Sequence, residues 1–225
     1  MTARQPPKPA RPRDIAFPRH YLRFGILEVP PPAMAGSRHF EPIPYQWSCH
    51  VETESGLVDQ FGFLDTRGLD PRPELVDALL AVIERKGSIL VPSARETALL
   101  HGLQRRIADP TGAFADALTR LVEIDRLAKG RRDPAARRVV LGIRTAALVL
   151  WPDDAADPSP MLRDDRAAAA AYLELIDART QRIRRRQLAR ALVRYGDLEL
   201  SDLVQAFAEH AGGGSEPIKS GPMLN

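Results

Sequence analysis

Tyr21-Leu22-Arg23-Phe24-Gly25-Ile26-Leu27-Glu28-Val29 is the stretch on which the fold turns. It is dense in aromatic and branched residues. Strict alternation places Leu22, Phe24 and Ile26 on one face and Tyr21, Arg23, Gly25 and Leu27 on the other. A period of two predicts a strand packed on a core, and Pro30-Pro31-Pro32 ends it. Two further strands follow: Ile43 to Glu52, entered through Pro44, and Leu57 to Leu64, with Glu54-Ser55-Gly56 as the hairpin turn between them. Asp70-Pro71-Arg72-Pro73 then opens a helix. Its stripe is Leu75, Leu79 and Ile83, flanked by Val76 and Leu80, and Gly87 is the stop. Ser88 to Val91 is a short buried strand closed by Pro92.

The second half reads as mainly helical. Helices are expected over Ala94–Ile107, Ala113–Leu118, Ile143–Trp151, Asp165–Ile176, Thr180–Tyr195 and Leu200–His210, with an acidic loop at Asp153–Pro160. Leu121 to Ile124 fits a short strand or a helix end, and periodicity does not separate the two. Three strands joined by hairpin-length links pair antiparallel, and a fourth reached across a helix pairs in parallel by a right-handed crossover. The expected fold is α/β, a mixed sheet packed with helices. This element order also matches the ribonuclease H-like architecture.

Composition sets outer limits. The chain has 225 residues, a formal charge of +3, 44% hydrophobic and 27% charged residues, and one cysteine, Cys49. A disulfide framework and a cluster held by about four thiolates of this chain are both excluded. No apolar run approaches the roughly 20 residues of a membrane span, and the basic start lacks an apolar signal segment. The expected organisation is a basic, proline-rich tail over residues 1–18, one domain over 19–210, and a Gly-rich tail over 211–225, in a cytoplasmic protein with no membrane partner. The common phosphate-binding, zinc-protease and serine-hydrolase motifs are absent. The five histidines (His20, His39, His50, His101 and His210) are scattered, without metal-ligand spacing. Cys49 and His50 are adjacent, so a strand points them to opposite faces. They read as a buried thiol and a hydrogen-bonded imidazole rather than a catalytic pair.

Three segments together carry a resemblance: Ile43-Pro44-Tyr45-Gln46-Trp47-Ser48-Cys49-His50, then Phe63-Leu64 with Asp70-Pro71-Arg72, then Gly87-Ser88-Ile89-Leu90-Val91. Arg144, Ala171-Tyr172-Leu173 and Leu192 to Tyr195 fit more loosely. Over about His20 to Phe207 the chain resembles domain-of-unknown-function family 2779. That family forms the C-terminal part of predicted RecB-like nucleases and is similar to DEDD-type 3′–5′ exonucleases of ribonuclease H-like fold.

The resemblance implies carboxylates that hold two metal ions, which clamp the scissile phosphate and acidify the attacking water. Where the family's first strand carries Leu-Asp-Phe-Glu-Thr, this chain has Leu22-Arg23-Phe24-Gly25-Ile26, so Arg23 and Gly25 stand at the positions of two lost acids. The resemblance places Glu123 and Glu199 where the family has Asp, and Glu96 at a further acidic position. An arginine cannot deprotonate to admit a cation. The implied reading is a catalytically inactive, exonuclease-like domain with a binding or assembly role, on nucleic acid or on another protein such as a nuclease subunit. No cofactor is expected. Two other readings stay open: an active nuclease using Mg²⁺ or Mn²⁺ through Glu96, Glu123 and Glu199, and a protein-interaction scaffold with no nucleic-acid role. The vestigial reading carries a geometric expectation, that the Arg23 guanidinium lies within hydrogen-bonding reach of Glu123 or Glu199.

One more feature is basic. Arg179 to Arg194 holds seven arginines and no acid, beside an expected apolar stripe of Ile183, Leu188, Leu192 and Tyr195. Arg182, Arg185 and Arg186 are the candidate phosphate contacts. A solvated face that balances the acids of Asp153 to Asp165 is the plainer reading, because no aromatic residues interleave for base stacking.

Overall fold

The computed structural model describes residues 15–28, 42–83, 85–129 and 161–211. The expected helix Ile143–Trp151, the acidic loop Asp153–Pro160 and residues 1–14 and 212–225 lie outside them. Five strands are formed: β1 (Arg19–Leu27), β2 (Ile43–Glu52), β3 (Val58–Leu64), β4 (Ser88–Val91) and β5 (Leu121–Glu123). The described helices are α1 (Arg72–Val82), α2 (Ala94–Gln104), α3 (Ala113–Thr119), α4 (Ile124–Lys129), α5 (Asp165–Ile176) and α6 (Arg182–Ala211).

The sheet order is β3-β2-β1-β4-β5. β1–β2 and β2–β3 are antiparallel, whereas β1–β4 and β4–β5 are parallel. This is the mixed α/β sheet expected from the sequence, with β1 at its centre. The alternation along β1 sorts its residues onto two cores. Leu22, Phe24 and Ile26 pack with Trp47, Cys49, Val51 and the apolar faces of α1, α2 and α3. Tyr21 packs with α6 residues Leu200, Leu203 and Phe207, and Leu27 packs with Tyr45, Tyr172, Leu188 and Leu192. Helices therefore cover both faces.

One irregularity shapes the site. Gly25 faces Gln46 but Ile26 faces Pro44, so β2 carries an extra residue, Tyr45, opposite β1. Such a bulge re-aims side chains. Here both Tyr45 and Gln46 meet the α5–α6 layer: Tyr45 stacks on Tyr172 with ring centroids 4.1 Å apart. The Gln46 amide donates to the Leu192 carbonyl of α6 at 2.8 Å.

Four expectations are corrected. Ile15 is buried in the core, so the folded part begins before residue 19. Gly87 (φ 80°) does not itself end α1, which stops at Val82. Its hydrogen instead allows the Pro18 backbone to lie directly against it. Thr180–Tyr195 and Leu200–His210 are one continuous helix, α6, running through Gly196. A helical glycine costs only about 1 kcal/mol relative to alanine, and the position needs one: a Cβ on Gly196 would lie 2.6 Å from Gln46 Nε2 and from Ser48 Oγ. Finally, Ile183 is not on the apolar stripe but 71% exposed, and the stripe of α6 begins at Leu188. The Leu121–Ile124 ambiguity resolves as both alternatives in sequence, β5 running directly into α4.

Candidate functional site

Arg23 projects from the middle of β1 toward α5 and α6. Its Nη2 donates to Asp165 Oδ1 at 2.7 Å and lies 2.6 Å from Glu199 Oε2. The guanidinium side chain is 17% exposed, Glu199 5% and Asp165 44%. Burial alone pulls the Arg23 pKa down, but Glu199 and then Asp165 outweigh it and the net shift is upward. For Glu199 burial is the largest influence and raises its pKa, opposed by Arg23. Arg23 thus opposes, without cancelling, the upward push of burial on the Glu199 carboxyl. Tyr195 completes the group, its hydroxyl donating to Asp165 Oδ1 at 3.1 Å. Arg95 approaches the other Asp165 oxygen at 3.5 Å.

Local sequence explains why these groups meet. Asp164 caps α5 by accepting from the Ala167 amide at 2.7 Å. Asp165, released from that task, faces Arg23. Tyr195 and Glu199 are four apart on α6, hence on one helical face.

Gly25 is occupied space rather than a vacancy. A Cβ there would lie 2.9 Å from Cε2 and Cζ of the Tyr45 ring. The bulge has moved Tyr45 into the volume that a side chain at residue 25 would need. The Tyr45 stacking partner, Tyr172, donates its hydroxyl to buried Asp65 at 2.8 Å.

The remaining candidates divide. Glu96 is buried, and its carboxylate is committed to the capping box of α2, accepting from the Ser93 amide at 3.1 Å and its hydroxyl at 2.7 Å. Its charge still acts on Arg23 through space. Glu123, at the end of β5, pairs with Arg126 at 2.5 Å. Of the two glutamates expected near Arg23, the structure brings in Glu199. Sequence reading missed Asp165, Tyr195 and Tyr45. The Asp164-Asp165 doublet at a helix start was the available signal for the first, since a cap needs only one of them.

These donors do not fit a pair of divalent ions. The guanidinium lies between the two nearest carboxylates, and Tyr45 fills the space of residue 25. Among the described residues no group of three or more His, Cys, Asp or Glu is placed to hold a metal. Cys49 is buried, and burial pushes its thiol up to about 12. His50 is also buried, and burial lowers its pKa to about 4. The expectation that its ring is hydrogen-bonded does not hold at Nε2, which has no partner.

On the basic helix, Arg182 and Arg186 are exposed. Arg185 is half-buried and donates to the Asp177 carbonyl at 2.7 Å. The neighbouring Arg184 forms a two-pronged pair with Glu174, 2.7 and 2.9 Å. Part of the charge is therefore spent on tying α6 to the end of α5. Among the described residues no helix is long and apolar enough to cross a membrane.

Comparison with curated proteins and with solved structures finds no match. The family model of the domain of unknown function 2779 matches residues 20–136, which covers β2 to β5, all of β1 but its first residue, and more than half of the chain, and the chain belongs to that family.

Proposed function

We propose that this chain is a nuclease-like domain in which metal-dependent catalysis has been lost and a binding role on nucleic acid remains. The observation that carries the reading is Arg23, whose guanidinium reaches Glu199 at 2.6 Å and Asp165 at 2.7 Å. A tethered cation does for these carboxylates what a metal would do electrostatically, without a Lewis acid or an activated water. The order β3-β2-β1-β4-β5 supports a ribonuclease H-like ancestry, and with it descent from the exonuclease-like part of RecB-like enzymes. The exposed Arg182 and Arg186, with Arg185 beside them, supply the backbone-binding surface.

The test has two arms. Calorimetry with Mg²⁺ and Mn²⁺, and a cleavage assay on labelled single strands with and without metal, address catalysis. Metal-dependent trimming of the strands, abolished by Glu199→Gln, overturns the proposal. Binding to single strands in chelator at low salt addresses the second arm. Arg182→Gln with Arg186→Gln should flatten the slope of log affinity against log salt by roughly 0.7 per lost contact. Failure of the wild-type chain to bind any strand at low salt discards the nucleic-acid role.

A further inference from the structure

β3 is an outer strand of the sheet, and among the described residues only β2 pairs with it. Two bonds fix the parity of its ladder, from the Thr53 amide to the Leu57 carbonyl and from the Asp65 amide to the Tyr45 carbonyl, both 2.9 Å. The register between them runs without a shift, so Asp59, Phe61 and Phe63 turn their backbone groups toward β2. Val58, Gln60, Gly62 and Leu64 turn theirs outward. Asp59, Gln60, Phe61 and Gly62 are all exposed, so both faces of the middle of β3 are clear of the helices. Natural sheets blunt such an edge with lysine, proline, a bulge or a short strand. β3 has seven residues with no lysine, no proline and no shift in register, and Asp59 is its one charge. The opposite edge, β5, is only three residues long and runs straight into α4. The sheet is thus open to extension on the β3 side.

We propose that β3 pairs antiparallel with β3 of a second copy of this chain, about a two-fold axis at Phe61. Charge and side-chain matching select this register. An axis at Asp59 sets that acid against itself, and an axis at Gly62 sets Asp59 against Asp65, both like-charged pairs. An axis at Gln60 sets the exposed Phe61 ring against Asp59. With the axis at Phe61, Gln60 faces Gly62 and Val58 faces Leu64, and each pair exchanges two backbone hydrogen bonds. Phe61, 41% exposed, meets its counterpart in the non-hydrogen-bonded position, where Cα atoms lie about 4.5 Å apart and aromatic pairs are favourable. The two copies of Asp59 then lie at opposite ends of the ladder. Such an axis runs perpendicular to the sheet, so both α5–α6 layers lie on one side of a single continuous sheet. One strand ladder falls below the roughly 1,200 Å² of standard interfaces, so the dimer forms at micromolar rather than nanomolar concentration.

Sedimentation velocity on the intact chain, from low to high micromolar concentration, should show a monomer giving way to a dimer. Gln60→Pro deletes an outward amide and no bond of the chain's own ladder. It should keep the melting temperature within a few degrees and lose the dimer. Phe61→Lys and Phe61→Glu test the register. Each sets like charges against each other on the axis and should weaken association by on the order of tenfold or more. Mixing the two should restore a dimer containing one of each, and salt should weaken it. A wild-type chain that stays monomeric at every concentration overturns the proposal. So does a dimer that survives Gln60→Pro or Phe61→Lys, or a mixture of the two folded Phe61 variants that stays monomeric. The pairing does not rest on the nucleic-acid reading: a dimer that binds no strand leaves this inference standing, and a monomer that binds one leaves the proposed function standing.

Discussion

Replacing Arg23 by methionine keeps much of the side-chain volume and deletes the charge. Glu199, 5% exposed, is then left in the core without its cation. Breaking a buried pair from one side costs about 3–5 kcal/mol. Asp165 adds little to this, because it is 44% exposed and keeps Tyr195 and Arg95 as partners. The expected loss is therefore near the lower end, about 3 kcal/mol, or a fall in melting temperature of roughly 6–12 °C for a chain this size. The loss also has a pH signature. Burial already raises the pKa of Glu199, and Arg23 restrains that rise. Without Arg23 the folded-state pKa climbs further above the unfolded one. A carboxyl raised in this way favours the folded state below its unfolded pKa, and the benefit is lost as pH rises through the folded pKa. The gap between wild type and Arg23→Met should be widest at neutral pH and should close toward the ordinary glutamate range of about 4.3. Chemical denaturation at a series of pH values measures it, and the double variant Arg23→Met, Glu199→Leu should recover most of the loss. A loss below about 0.5 kcal/mol at neutral pH, or a gap that does not change with pH, refutes the account of the pair.

Other outcomes follow from contacts already described. Gly25→Glu should destabilise by at least about 1–3 kcal/mol, because its Cβ meets the Tyr45 ring at 2.9 Å. For the same reason Arg23→Asp with Gly25→Glu should gain no Mn²⁺ affinity by calorimetry. Gly196→Ala should lower the melting temperature despite better helix propensity, since its Cβ displaces Gln46 from the Leu192 carbonyl. Tyr172→Phe should cost about 1–3 kcal/mol by denaturation, as buried Asp65 loses a donor at 2.8 Å. The His50 ring should remain neutral by NMR down to a pH of about 4. Its pKa is depressed below the unfolded value, so the stability it lends above the ordinary range is lost as pH falls toward that point.

β1 to β4 were legible because alternation, prolines and turn residues agreed, whereas β5 stayed open between a strand and a helix end. β2 and β4 have the bounds read from the sequence, and α5 does too. Gly196 misled, because a glycine that permits close packing is indistinguishable in sequence from one that ends a helix. The pairing of Arg23 with Glu199 was legible through the family frame Leu-x-Phe, which fixed the register of β1. Asp165 was not, since nothing local tells which of two adjacent aspartates caps the helix and which faces the sheet. The displacement of Tyr45 depends on a one-residue bulge, which no periodicity in the stretch announces.

The fastenings of β1 and β2 to the helical layer have a kinetic consequence. Arg23 to Asp165 spans 142 residues and Gln46 to Leu192 spans 146. Closing loops of this size slows folding, because chain entropy is lost before the contacts form. The face of the sheet that carries Tyr21, Arg23 and Tyr45 stays bare until α5 and α6 have left the ribosome. At roughly 5–20 residues per second that interval lasts on the order of ten seconds. During it the half-built sheet is adhesive, and a chaperone that shields this face should raise the yield of native chain far more than one acting after release.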